Sequence, residues 1–162
     1  MAEDTVARDA QAREMPTLEY HGPTLNEAVA ELEQKKEHYR GMGGADKIAR
    51  QHSLGKKTVR ERLEILFDAG TFLETGLLGH HQSPSPQMQG KFTPGDGVVT
   101  GIGEINGRKT CLIAYDFTVM AGSMGMVGEF KAMRMRELAL RERIPIVWLI
   151  DSAGEFGVSV EA

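Results

Sequence analysis

Residues 144–154 read IPIVWLIDSAG. Ile146 to Ile150 is an uninterrupted apolar run, with Pro145 before it and Asp151-Ser152-Ala153-Gly154 after it. Such a run is expected of a strand covered on both faces. The segment before it, 126–143, has helical spacing: Phe130, Met133, Leu140 and Ile144 fall on one side, and Ala132, Met135 and Ala139 widen that face. Lys109 to Tyr115 reads as a further strand. Strand 109–115, helix 126–143 and strand 146–150 make a βαβ unit, whose crossover is right-handed and whose strands are parallel. The turns at Asp116 and Asp151 then leave the carboxyl ends of parallel strands, the edge where α/β sheets bind ligands. The fold class is α/β.

Toward the N terminus, Val98 to Ile105 is a strand joined to 109–115 by Asn106-Gly107, the strongest short hairpin signal. Residues 76–97, rich in Gly, Pro, Ser and Gln, form a long irregular loop of the kind that is often functional. Phe72-Leu73-Glu74 is a short strand. Thr58-Val59-Arg60-Glu61 has capping-box spacing and opens a helix with Val59, Leu63, Leu66 and Phe67 on one face. Thr24-Leu25-Asn26-Glu27 opens another, with Leu25, Ala28, Val29, Leu32 and Tyr39 at helical intervals and Gly41, Gly43 and Gly44 to stop it. A short helix over Asp46 to Gln51 lies between. Three regions result: a polar tail at 1–22, a helical segment at 23–70 and an α/β domain at 71–162. The domain reads as incomplete, because its sheet has few strands and no visible cover on one side.

Composition narrows the function. The chain has 162 residues, 41% apolar and 26% charged, as an ordinary soluble globular protein has. A net charge of −4 argues against nucleic acid as the main partner, since phosphate binding needs a clustered excess of Lys and Arg. The single cysteine, Cys111, cannot make an internal disulfide and points to a reducing compartment. The start has no apolar signal region, and no run approaches eighteen apolar residues. The expected place is the cytoplasm, without a membrane.

Several motifs carry competing readings. Ala121-Gly122-Ser123-Met124-Gly125 resembles a nucleophile elbow, which would make the protein a serine hydrolase using Ser123. The five histidines, at 21, 38, 52, 80 and 81, all precede Ser123, and that chain order counts against such a triad. Gly122, Gly125 and Gly128 stand at a helix start, either to receive a phosphate or carbonyl or to pack the helix closely on the sheet. The basic run Lys56 to Arg62 reads as a solvated helix face before an anion site. His80 and His81 lack a Cys or carboxylate cluster, so no metal is expected. The methionines at 120, 124, 126, 133 and 135 either line a flexible apolar pocket or, for most of them, fill the core, and Cys111 reads as buried packing. Asp116 and Asp151 read as turn formers. Asp151 to Gly154 is either an ordinary turn or a place where backbone N–H groups converge on an oxyanion, because its small side chains cannot block them.

Four blocks, KKTVRERLEILFDAGTFLE, PGDGVVTGIGEINGRK, DFTVMAGSMG and IPIVWLIDSAG, stand in the order and near the spacing of one family. Over roughly Ala45 to Gly154 the chain resembles the N-terminal part of the carboxyltransferase (beta) subunit of biotin-dependent acyl-CoA carboxylases, the propionyl-CoA and methylcrotonyl-CoA carboxylase group. The resemblance implies a partial crotonase-like (ClpP/crotonase) fold with an N-terminal helical extension. It implies transfer of a carboxyl group from carboxybiotin, held on a partner carrier protein, to the α-carbon of an acyl-CoA. The thioester enolate would be held by backbone N–H groups of Ala153 and Gly154, with Ala153 where the family commonly has Gly. Thr118, Gly122 and Ser123 would lie in the wall of the acyl-CoA pocket. The implied partners are acyl-CoA, a biotin carboxyl carrier or biotin carboxylase (alpha) subunit, and further copies in a homo-oligomer. The family also holds decarboxylase subunits that run the exchange in reverse. After Asp-Ser-x-Gly the family continues A-R-I-Q-E, whereas Glu155 to Ala162 departs from it. A truncated fragment, inactive alone, is the expectation. A non-catalytic module for acyl-CoA binding or subunit association is the alternative.

Overall fold

The computed structural model describes residues 21–153. Most of the N-terminal tail and the stretch from Gly154 onward lie outside them.

Three helices come first: α1 (Leu25–Arg40), α2 (Ala45–Ser53) and α3 (Val59–Leu66). Both capping boxes form as the sequence spacing predicts. Thr24 and Thr58 each accept from the N–H three residues on, and Glu27 and Glu61 each reach back to the cap. The hydrogen bond from the Thr58 backbone, with help from His52 and the Thr58 hydroxyl, pulls the Glu61 carboxyl down to about 2.

The sheet follows: β1 (Leu73–Thr75), β2 (Val98–Ile105), β3 (Arg108–Tyr115) and, after α4 (Met126–Glu142), β4 (Ile146–Leu149). Its spatial order is β1-β2-β3-β4. β1, β2 and β3 pair antiparallel, and β3 pairs with β4 in parallel, with Cys111 opposite Ile146 and Ala114 opposite Leu149. The hairpin turn has both Asn106 (φ 51) and Gly107 (φ 74) left-handed, which matches the twist of the strands it joins. Asp68 clamps it, accepting from Asn106 N at 3.1 Å and Gly107 N at 2.8 Å.

Each face of the sheet has its own core. Val99, Leu112 and Ala114 pack under Val59, Leu63 and Phe67 of the helical segment, with Met42 beside them. Val98 and Ile113 pack under Ala132 and Met135 of α4. The first core needs Gly103, because a Cβ there would stand 2.5 Å from the Phe67 ring.

Three apolar faces differ from the sequence reading. α4 buries Gly128, Lys131, Ala132, Met135 and Ala139, while Phe130 is 54% and Leu140 82% exposed. The helix docks through its small residues because they admit the closest approach to the sheet. A Cβ on Gly128 would lie 2.9 Å from Asp96 O and 3.1 Å from a methyl of Val98. β4 is covered unequally: Val147 and Leu149 pack against the core, but Ile146 and Trp148 stay 38% and 40% exposed, Trp148 resting on Tyr115 and Arg136. α1 buries no residue, and its stripe of Leu25, Val29 and Leu32 is exposed.

Lys131 is the charged member of the buried α4 stripe. Its stem runs against Gly76 and its Nζ donates to the carbonyls of Gly95, at 3.0 Å, and Val98. Burial pushes its pKa down to about 8, against the opposing pull of Glu74 and Asp96. Between about 8 and its ordinary 10.5 the unfolded chain holds a proton that the folded one does not. The stabilisation is therefore complete above that window and is lost as pH falls through about 8. We expect the stability difference between wild type and Lys131→Met to grow by about 1 kcal/mol per pH unit from 8 to 10 in urea unfolding. Parallel pH profiles would show that Lys131 keeps its proton.

Candidate active site

β3 ends in a tightly bonded turn. Asp116 is buried, and its N–H donates to Gly97 O at 2.9 Å. Its Oδ1 accepts from the Thr118 N–H at 2.9 Å and the Thr118 hydroxyl at 2.6 Å. Burial raises the Asp116 pKa, and these two hydrogen bonds oppose the rise. The Thr118 hydroxyl also accepts from Gly43 N at 2.9 Å, tying the α1–α2 junction to this turn. Gly43 admits no side chain there, since a Cβ would sit 1.9 Å from Thr118 O. Three left-handed residues follow, Met120 (φ 48), Ala121 (φ 55) and Gly122 (φ 72), before Ser123 leads into α4.

The turn after β4 rests against this one. A Cβ on Gly122 would lie 2.1 Å from Asp151 O and 3.0 Å from Ser152 Cα, so the two backbones touch only because position 122 is glycine. Ala153 N donates to Ala121 O at 2.9 Å. Lys56 spans both turns: its Nζ is 3.1 Å from Asp151 Oδ1 and 5.0 Å from the centre of the Phe117 ring. Of the residues assigned from sequence, Thr118, Gly122, Ser123 and Ala153 thus stand on two adjoining turns, and Gly154 lies outside the described residues.

The start of α4 is filled from within the chain. Asp96, buried in the Pro94–Gly97 turn, places Oδ2 2.9 Å from Gly128 N. A Cβ on Gly125 would come within 2.6 Å of both carboxylate oxygens. The Gly122, Gly125, Gly128 spacing therefore serves close packing and an anion together, and the anion is the protein's own. Periodicity misses Asp96 because its partner is distant in sequence. Only its place between glycines in PGDG hints that this carboxylate lies against backbone.

The basic run after Gly55 is a seam of ion pairs rather than a wholly solvated face. Arg60 pairs with Glu74 through two hydrogen bonds, the shorter 2.9 Å, and donates to Arg40 O. A cleft of about 630 Å³ lined by Lys36, Arg40, Arg60, Phe72, Glu74 and Leu77 lies beside this pair, away from the two turns. Arg60 faces its own counter-ion there. Around Ser123 the strand–turn–helix context of an elbow is present. The histidines at 38, 52, 80 and 81 are occupied elsewhere: His52 with Glu61, His80 with Tyr39, His81 with Lys91 O, and His38 stacked on Phe92. Among the described residues no three His, Cys, Asp or Glu side chains are grouped to hold a metal, and no helix is long and apolar enough to cross a membrane.

Residues 50–161 match the carboxyl transferase domain family. The propionyl-CoA carboxylase carboxyltransferase subunit of Haloferax mediterranei is 40% identical over 131 residues, covering 81% of this chain and 25% of that protein. The methylmalonyl-CoA decarboxylase subunit alpha of Veillonella parvula is 38% identical over 81% of this chain and 26% of its own length. Transcarboxylase 12S, solved as a hexamer with methylmalonyl-coenzyme A bound, superposes with a TM-score of 0.79 at 36% identity, over 83% of this chain and 26% of that one. The chain thus spans about a quarter of the length of these relatives. Its α/β sheet with an N-terminal helical extension is the crotonase-like fold in part. By its sequence match and its fold, the chain belongs to the carboxyl transferase domain family.

Proposed function

We propose that these residues form the acyl-CoA side of a biotin-dependent carboxyltransferase, with the thioester bound where the turns after β3 and β4 meet. The observation that supports this most is the contact at Gly122, which holds the Ala153 N–H beside the Ala121–Ser123 turn. An N–H whose position is fixed by packing can stabilise charge that develops on a thioester oxygen. Making that oxygen more anionic acidifies the neighbouring α-carbon, to which the carboxyl group is transferred. Ala153 and Gly154 act through their backbone N–H groups. Gly122 and Ser123 wall the pocket. Thr118 positions the turn, because its hydroxyl is committed to Asp116 and Gly43.

Carboxybiotin is the second substrate, brought by a biotin carboxyl carrier or biotin carboxylase (alpha) subunit in the cytoplasm, and no step on that side is assigned to residues 21–153. The parent assembly is a homo-oligomer. Carboxylation and the reverse exchange use the same acyl-CoA side, as the two kinds of relative suggest. A non-catalytic acyl-CoA-binding role would use the same turns, and the exposed apolar stripe of α1 offers a subunit contact for it.

Calorimetry tests the reading. Propionyl-CoA is expected to bind, and more tightly than CoA lacking the acyl group. Gly122→Ala, which forces the turns apart, should weaken propionyl-CoA binding by about tenfold or more while circular dichroism stays that of the wild type. Equal affinity for CoA and propionyl-CoA would remove the thioester from these turns.

A further inference from the structure

The Ala153 N–H assigned to the thioester oxygen already has an acceptor, the Ala121 carbonyl at 2.9 Å. That carbonyl faces β4 because Ala121 is held at φ 55, ψ 35, within a run of three left-handed residues. A left-handed alanine costs about 1–2 kcal/mol, so the surrounding contacts must impose it. We propose that Ala121 gates the site: its carbonyl occupies the Ala153 donor in the resting protein, and an incoming thioester oxygen displaces it as the Ala121–Gly122 peptide plane turns over. The identity of the incoming oxygen rests on the carboxyltransferase reading; the latch itself does not.

The packing selects this movement over a separation of the turns. Gly122 is pressed on the Asp151 and Ser152 backbone, and Lys56 ties Asp151 to Phe117. Turning the plane changes only ψ of Ala121 and φ of Gly122, and leaves both neighbours in place. Glycine accepts either sign of φ. Ala121 does not move as freely, because the turned plane combines its positive φ with a strongly negative ψ, which costs alanine more than glycine. Alanine at 121 therefore keeps the carbonyl on the latch. The rotation also swings the Gly122 N–H, which donates to Val119 O at 2.9 Å at rest, toward the space the carbonyl leaves. An acceptor is exchanged for a second donor beside Ala153.

The test uses the full chain labelled with nitrogen-15 and carbon-13. NMR reads the coupling across the hydrogen bond from Ala153 N to the Ala121 carbonyl carbon, and the exchange rate of the Ala153 amide. The wild type is expected to show the coupling and a protected amide. Ala121→Gly, which admits the turned plane, should weaken the coupling and speed the exchange by about tenfold or more. The Thr118 amide, held by Asp116, should be unchanged. Propionyl-CoA should remove the coupling in the wild type, and CoA without an acyl group should not. An uncoupled, unprotected Ala153 in the wild type overturns the gate, as does an Ala121→Gly variant with unchanged exchange. Bound propionyl-CoA with the coupling intact overturns it too. The first two readouts use no ligand, so they decide the latch by themselves. Failure of propionyl-CoA to bind counts against the function proposed above.

Discussion

The carboxylate of Asp96 at the head of α4 is the contact on which the rest of the domain depends. It lies in the turn that leads into β2, and it accepts from the third N–H of α4. That single bond sets where the helix begins relative to the sheet. Burying a carboxylate costs several kcal/mol unless it is well partnered. Here the partners are an orphan helix N–H, the positive end of the helix, worth up to about 2 kcal/mol in a partly buried site, and the charge of Lys131 nearby. Lys131 reaches the same segment from one turn further along α4, through Gly95 O and Val98 O. An anion from the turn and a cation from the helix thus lock two segments that apolar contact alone would let slide.

With α4 so placed, β4 has to enter beside β3, and the two strand-end turns meet. The helical segment then closes the turns from the far side. Gly43 reaches Thr118, and Lys56 reaches Asp151 and Phe117. Residues on both sides of the sheet therefore determine the position of one backbone N–H, that of Ala153. This is preorganisation through main-chain contacts, where glycines at 43 and 122 matter because a methyl group would not fit.

What the sequence disclosed was local or periodic. Both capping boxes and the Asn106-Gly107 hairpin lie within short windows, the parallel β3–β4 pairing follows from the strand–helix–strand order, and all appear in the structure. The face that α4 buries was legible only in its Ala132, Met135 and Ala139 part. Large apolar residues dominate a periodicity count, yet Phe130, Met133 and Leu140 stand outside while Gly128, Ala132 and Ala139 go in. Close approach to a sheet favours small side chains, and a hydrophobicity pattern gives them little weight. The strand-end turns stood out in the sequence as a candidate site because they follow parallel strands. Their mutual contact, the Asp96 cap and the Lys56 bridge were not, since each joins residues tens of positions apart.

The hairpin turn has one more consequence, for how the protein ages. An Asn-Gly pair in a surface turn is the usual starting point of deamidation, in which the glycine nitrogen attacks the asparagine side-chain carbonyl and the chain is left with a new acid. Here the Gly107 N–H that would have to lose its proton donates to Asp68 Oδ2 at 2.8 Å, beside a negative charge that opposes its ionisation. Asn106 is held by the other oxygen of the same carboxylate. The clamp that fixes the strand register therefore also guards the turn against chemical decay, and Asp68 protects an asparagine that it touches only through the backbone.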